Sequence, residues 1–137
     1  MKLETKVEFF QDDTHSITLD SIRSYDDGSG YSALLTIHSK PFACINHQFN
    51  FQNLKSFLKD VIKANESLKG VAEIGPTWDQ EHIKFKMKSR GNVDISGRIL
   101  SGSVYSQLLK FSFETDQSYF GSFAKSAGKA LKELKGR

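Results

Sequence analysis

The sequence predicts an α+β fold: a largely antiparallel β-sheet of about seven or eight strands, with two amphipathic helices packed on it in the order ββββα-ββββα. Three observations predict it. "HIKFKMK" (82–88) alternates without interruption, Ile83, Phe85 and Met87 against Lys84, Lys86 and Lys88, which is the period-two signature of a half-buried strand. "DDGSG" (26–30) is a tight-turn signal between two apolar segments, because Asp-Gly supplies the positive φ that a hairpin requires. Leu54, Phe57, Leu58, Val61 and Ile62 fall at i, i+3, i+4, i+7 and i+8, a single helical stripe.

The elements follow in order. Leu3, Thr5, Val7 and Phe9 alternate with charged residues as a first strand, and "QDDT" turns the chain into "HSITLDSIRSY". After "DDGSG" come "YSALLTIHS" and, past the break at "SKP", "FACINHQFNF". The first helix follows, with Asn50 or Asn53 as candidate cap and Asn65 with Gly70 as its exit. The second half repeats the plan: "GVAEIG", a loop "PTWDQE" holding the single Trp, "HIKFKMKS", a turn "RGN", "VDISGRIL" and "VYSQLLKFSFET". Asp116 caps a closing helix whose stripe is Phe120, Phe123, Ala124, Ala127, Leu131 and Leu134. The two helical stripes align at an offset of 66 residues, Leu54 with Phe120 and Val61 with Ala127.

A chain of 137 residues forms one domain, residues 1–137, large enough to bury a core without metal or disulfide. Eleven Phe and four Tyr suit a sheet-built core, and the net charge of +3 is weak for a dedicated nucleic-acid binder. Cys44 is the only cysteine, so no internal disulfide forms. No apolar run matches a signal peptide or a membrane span, which places the expected protein in the cytoplasm with no membrane partner.

Catalytic chemistry finds no residue set, so the chain is read as a non-enzyme with no metal and no cofactor. His15, His38, His47 and His82 lack ligand spacing, although His38 and His47 lie on adjacent strands and are candidates to meet across a hairpin. Cys44 has no neighbouring cation or helix N-terminus to lower its thiol pKa. The glycines of "DGSGYS" and "SGRILSGS" read as turn positions rather than a phosphate cradle. The carboxylate pairs Asp12–Asp13 and Asp26–Asp27 sit on turns, where acidic residues serve local hydrogen bonding.

Two binding readings remain. The Lys84, Lys86, Lys88 row, extended by Arg90 and Arg98, has the charge to track phosphates, but its face carries no aromatic for base stacking. A sheet-based single-stranded nucleic-acid binder is therefore the alternative. Protein binding is favoured: Trp78, on a loop beside Asp79, Glu81 and His82, is of the type enriched at interface hot spots, though a loop Trp also folds back onto cores.

The stretch from Ser29 to Leu131 also resembles a known family. Phe51, Leu54 and Phe57 enter the first helix; Leu68, Gly70, Ala72, Glu73 and Ile74 make "L-x-G-x-A-E-I"; Gly91, Val93, Ile95 and Gly97 make "G-x-V-x-I-x-G"; and Phe111 to Tyr119 form "FSFETDQSY". In this outline the chain resembles the WapI-type immunity proteins of bacterial polymorphic toxin systems, which act in contact-dependent growth inhibition and its relatives. The resemblance implies a small cytoplasmic protein that neutralises a cognate toxin domain, commonly a nuclease, by non-covalent blocking. It carries no catalytic residues to transfer. The charge of +3 departs from the acidic balance expected against a basic nuclease, which directs attention to local acidic groups: Asp12–Asp13, Asp20, Asp26–Asp27 and the Trp78–Glu81 loop. Trp78, Asp79, Glu81, His82, Asp26, Asp27, Lys84, Lys86 and Lys88 are the candidate partner-binding residues.

Overall fold

A computed structural model describes residues 1–77, 80–101 and 107–136. Strands β1 (Val7–Asp12), β2 (His15–Ser24), β3 (Tyr31–Ser39) and β4 (Phe42–Phe51) form an antiparallel meander, followed by helix α1 (Leu54–Ser67). Strands β5 (Val71–Ile74), β6 (His82–Met87), β7 (Asn92–Ser101) and β8 (Gln107–Asp116) form a second antiparallel meander, followed by helix α2 (Gln117–Lys135). The chain is thus α+β with the predicted element order, its eight strands divided into two four-stranded sheets.

Local chemistry places the turns and ends. Gly28 has φ +76°, while the Asp27 carboxylate accepts the Ser29 N–H at 2.9 Å and closes the β2–β3 turn. Asn53 stands at the N-cap of α1 but does not cap it. Its amide instead donates to the Glu73 carbonyl at 2.8 Å and accepts the Gly75 N–H at 2.9 Å, tying the helix start to the end of β5. The helix stops at Leu68, which adopts the left-handed conformation at φ 56° two residues before the expected glycine. At α2 the expectation holds: the Asp116 carboxylate accepts the Ser118 N–H at 2.9 Å and the Ser118 hydroxyl as well.

One core joins both sheets and both helices. Val7, Phe9, Ile17, Leu19, Leu35, Ile37 and Phe49 face inward from the first sheet, and Ile83, Phe85, Val93 and Ile95 from the second. Both helical stripes are buried, including Leu54, Phe57, Leu58 and Val61 and their counterparts Phe120, Phe123, Ala124 and Ala127. Phe85 is the meeting point. Its ring stacks on Phe123 with centroids 4.6 Å apart and lies 6.0 Å from Phe57, 6.1 Å from Phe120 and 6.4 Å from Phe9.

Gly97 is not a turn residue. It lies within β7 opposite Ile83 and Phe111, and a Cβ there would stand 2.5 Å from the Phe111 ring and 2.8 Å from the His82 carbonyl oxygen. The glycine lets the aromatic ring lie flat across the strand.

Helix α2 also covers the free edge of β1. Glu133 accepts the Glu4 N–H at 2.6 Å and the Thr5 N–H at 2.9 Å, and the Ser126 hydroxyl accepts the Glu8 N–H at 3.1 Å. Side chains of a helix thereby satisfy backbone donors that would otherwise invite another strand. No helix among the described residues is long and apolar enough to cross a membrane.

Truncating Phe85 to Ala removes a ring shared by four elements, so unfolding in urea should show a loss of about 3–5 kcal/mol. Hydrogen bonds from Ser118 hold the Asp116 carboxyl below the usual carboxylate range. A carboxyl lowered on folding adds stability above its unfolded pKa and loses that contribution as pH falls through its folded pKa. Asp116→Asn should therefore flatten the acid limb of the stability–pH curve, measured by thermal melts across acidic pH.

Candidate partner-binding surfaces

Apart from Glu81, the described residues singled out in the sequence fall on two surfaces. The lysine row lies on the outer face of the second sheet, with Ile83, Phe85 and Met87 buried beneath it. Its charge is answered across the strands. Lys84 stands opposite Glu73, and Lys86 opposite Asp94, which itself faces Glu114. Two carboxylates directly opposite one another repel. The Lys88 ammonium relieves them, lying 3.6 Å from Asp94 and 3.6 Å from Glu114. The row is thus part of a mixed-charge lattice rather than a cationic track, which disfavours phosphate tracking. A second row, His82, Arg98 and Lys110, crosses the same face, where Arg98 donates to the Gln80 carbonyl at 3.2 Å.

The second surface is a cleft of about 850 Å³ at one end of the molecule. One wall comes from the β2–β3 turn and the end of β4, through Tyr25, Ser29, Gly30 and Asn50. The other comes from the segment between β5 and β6, through Gly75, Thr77, Gln80 and Glu81. The turn that carries Asp26 and Asp27 and the segment that ends at Glu81, some fifty residues apart in sequence, therefore flank one concavity. Asp26 and Asp27 are exposed on the rim turn. Hydrogen bonds from the Ser29 side chain and backbone hold the Asp27 carboxyl below its ordinary range. Tyr25 donates its hydroxyl hydrogen to the Asn50 side-chain oxygen across the cleft wall. Trp78 and Asp79 lie outside the described residues.

Glu81 occupies a different place from the loop surface expected of it. It is only 6% exposed, and its carboxylate accepts from His47 Nε2 at 2.8 Å and from the Leu100 N–H at 3.1 Å. Glu81 thus clamps β4 of the first sheet to β7 of the second. The local chain is shaped for this: Thr77 accepts the Glu81 N–H through its hydroxyl at 3.1 Å and donates its own N–H to the Glu81 carbonyl at 2.9 Å. Gly75, at φ +89°, leaves room for that carbonyl, which would stand 2.5 Å from any Cβ.

The histidine pair does not form. His38 pairs with Ala43 and His47 with Leu35, so the two rings project from opposite faces of the first sheet. Sequence reasoning missed the His47–Glu81 contact because nothing local joins residues 34 apart. Cys44 is half-buried, and burial followed by the Glu81 charge pushes its thiol pKa up, which keeps it protonated and unreactive. Among the described residues, no group of three or more His, Cys, Asp or Glu side chains is placed to hold a metal ion.

Formal charge is unevenly shared between the two halves. Residues 1–51 carry four Lys or Arg against seven Asp or Glu, a balance of −3. Residues 52–137 carry fifteen against nine, a balance of +6. The seven lysines within α1 and α2 are all exposed. A modest net charge conceals an acidic first sheet joined to a basic remainder. No family model matches the chain, and no curated protein matches it.

Removing one partner of the buried clamp leaves the other unpaired. Glu81→Ala should cost about 3–5 kcal/mol in denaturant unfolding, and Glu81→Gln, which can still accept both hydrogen bonds, distinctly less.

Proposed function

We propose that the chain is an immunity protein, binding a cognate toxin domain and neutralising it by non-covalent blocking at the cleft between the β2–β3 turn and the β5–β6 segment. The observation that carries this reading is the position of the exposed, acidic Asp26–Asp27 turn beside that cleft. Asp26 and Asp27 are exposed on the turn between Tyr25 and Ser29, which line one side, and Gly75, Thr77, Gln80 and Glu81 line the other. A concavity with a charged rim and polar walls suits insertion of a basic loop from a partner, since rim charge steers encounter and fixes orientation. The balance of −3 in the first 51 residues supports the same reading, because it supplies the local acidity that an overall +3 conceals. The resemblance from Ser29 to Leu131 to WapI-type immunity proteins names the class of partner.

A cytoplasmic location and a nuclease activity for the toxin belong to this proposal. The nucleic-acid alternative is less well supported, since Glu73, Asp94 and Glu114 stand across from the lysines it would use.

The test is co-purification with the product of a toxin gene adjacent to this chain's gene, followed by association kinetics; a gene neighbourhood with no toxin counts against the proposal. A stable complex that restores growth to toxin-expressing cells is expected. Asp26→Lys combined with Asp27→Lys should slow association by about ten-fold or more at low salt, with the difference shrinking as ionic strength rises. Absence of any complex, or salt-sensitive binding of single-stranded oligonucleotides in its place, would sink the proposal.

A further inference from the structure

The two halves of the chain are related by an approximate two-fold axis. Each is a four-stranded meander followed by a helix. Helix α1 packs on β5, the first strand of the second meander, and α2 packs on β1, the first strand of the first. Residues 66 positions apart play the same part: Ile17 and Ile83, Leu19 and Phe85, and Phe57 and Phe123 are all buried. Phe57 and Phe123 also touch each other, with centroids 6.3 Å apart, as equivalent groups do beside a two-fold axis. Each half is therefore a control for the other, because it shows what the shared architecture itself requires.

The halves part company beside the cleft. Strands β1 and β2 are joined by two residues, and the Thr14 carbonyl continues the ladder by accepting the Lys40 N–H at 3.0 Å. Strands β5 and β6 are joined by seven. There Gln80, the counterpart of Thr14, has φ 63°, and its carbonyl accepts from the Arg98 guanidinium at 3.2 Å. Leu100, which holds Lys40's place in the register, donates its N–H to the Glu81 carboxylate instead, at 3.1 Å. A second difference lies between the sheets. His47 and Glu81 correspond to Phe113 and His15, which meet as tilted rings with centroids 5.0 Å apart. The same junction is closed once by two rings and once by a largely buried imidazole and carboxylate 2.8 Å apart. A buried ionisable pair stabilises a fold no better than well-packed groups without charge, because both partners lose their water. The architecture does not demand the pair where it stands.

We propose that His47 and Glu81 are positioning residues of the cleft: they hold the wall made by Gly75, Thr77, Gln80 and Glu81 at a fixed distance from the end of β4. That wall exists because the second half has the longer connection, and Glu81 is its last residue. His47 lies three residues before Asn50, which lines the opposite wall, so the pair joins one wall to the other. Thr77 bonds to the Glu81 backbone through both its N–H and its hydroxyl, so fixing Glu81 fixes Thr77 as well. A partner then meets a cleft already at its bound width and spends no binding energy on ordering it. The inference rests on the reading of this cleft as the partner site and adds the residues that set its shape.

The test pairs His47→Phe, the residue type of the other half, with Glu81→Gln, whose amide oxygen still accepts the Leu100 N–H. The double variant should melt no lower than Glu81→Gln alone. Hydrogen exchange at the Thr77, Gln80 and Glu81 N–H groups should nevertheless run about ten-fold or more faster than in the parent chain. The complex with the product of the adjacent toxin gene should dissociate about ten-fold or more faster. His47→Gln, which keeps a donor for Glu81, should leave both rates near those of the parent. Ala127→Gly, a buried change on α2 outside the cleft, should lower the melting temperature and leave dissociation unchanged. A double variant that melts well below Glu81→Gln makes the pair a stabiliser of the fold and overturns the proposal. Parental exchange and dissociation in that variant overturn it too, as does dissociation equally fast in Ala127→Gly. If the parent chain forms no complex, the partner reading of the cleft falls, and the exchange comparison alone decides whether the pair holds the wall.

Discussion

Phe85 sits where every layer of the molecule meets. Its ring touches Phe9 of the first sheet, Phe57 of α1 and both Phe120 and Phe123 of α2, while its backbone belongs to the second sheet. Neither meander has an apolar face that its own strands can cover, so each must be closed by something else. The two sheets and two helices therefore bury their apolar sides together, and the aromatic cluster is where those demands coincide. Large flat side chains suit such a junction, because tilted and stacked contacts fill the angular space between elements that do not run parallel.

That constraint explains the outer surfaces. With Ile83, Phe85 and Met87 committed inward, pleating forces Lys84, Lys86 and Lys88 outward. Three like charges on adjacent outward positions of a strand are tolerable when neighbouring strands answer them, and Glu73, Asp94 and Glu114 do so. The alternation of "IKFKMK" is thus a demand of the core. What it leaves on the surface is charge held in place by cross-strand partners.

Much of this was legible in the sequence because it is local. Period-two alternation fixed the strand faces, i/i+3/i+4 spacing fixed both helix stripes, and Asp116 declared its cap. Features that depend on distant partners were not legible. Asn53 looked like a cap and is a brace to β5, since the carbonyl it serves lies twenty residues away. Glu81 looked like a surface acid and is a clamp between sheets, because its partners His47 and Leu100 come from other strands. Gly97 looked like a turn and is a strand position flattened beneath Phe111. For the site, sequence identified the acidic Asp26–Asp27 turn. Only the register of two separate sheets brings it beside the Gly75–Glu81 segment.

The His47–Glu81 clamp and the uncharged edge of β4 are two consequences of one arrangement. An interior carboxylate bridging β4 to β7 is stabilised by two hydrogen bonds; a neighbouring cation on β4 would compete with His47 for Glu81, and a neighbouring acid would repel Glu81. The strand near the clamp is accordingly built from Asn, Gln, Phe and His, which add no formal charge. Beyond the bulge Phe49 and Phe51 are buried and His47 is held by the clamp. Before the bulge nothing in the described chain covers the strand, and the chemistry that serves the interior becomes an exposed apolar edge. The bulge is where the two halves of β4 separate: one holds the sheets together, and the other presents Phe42 and Ile45 to solvent.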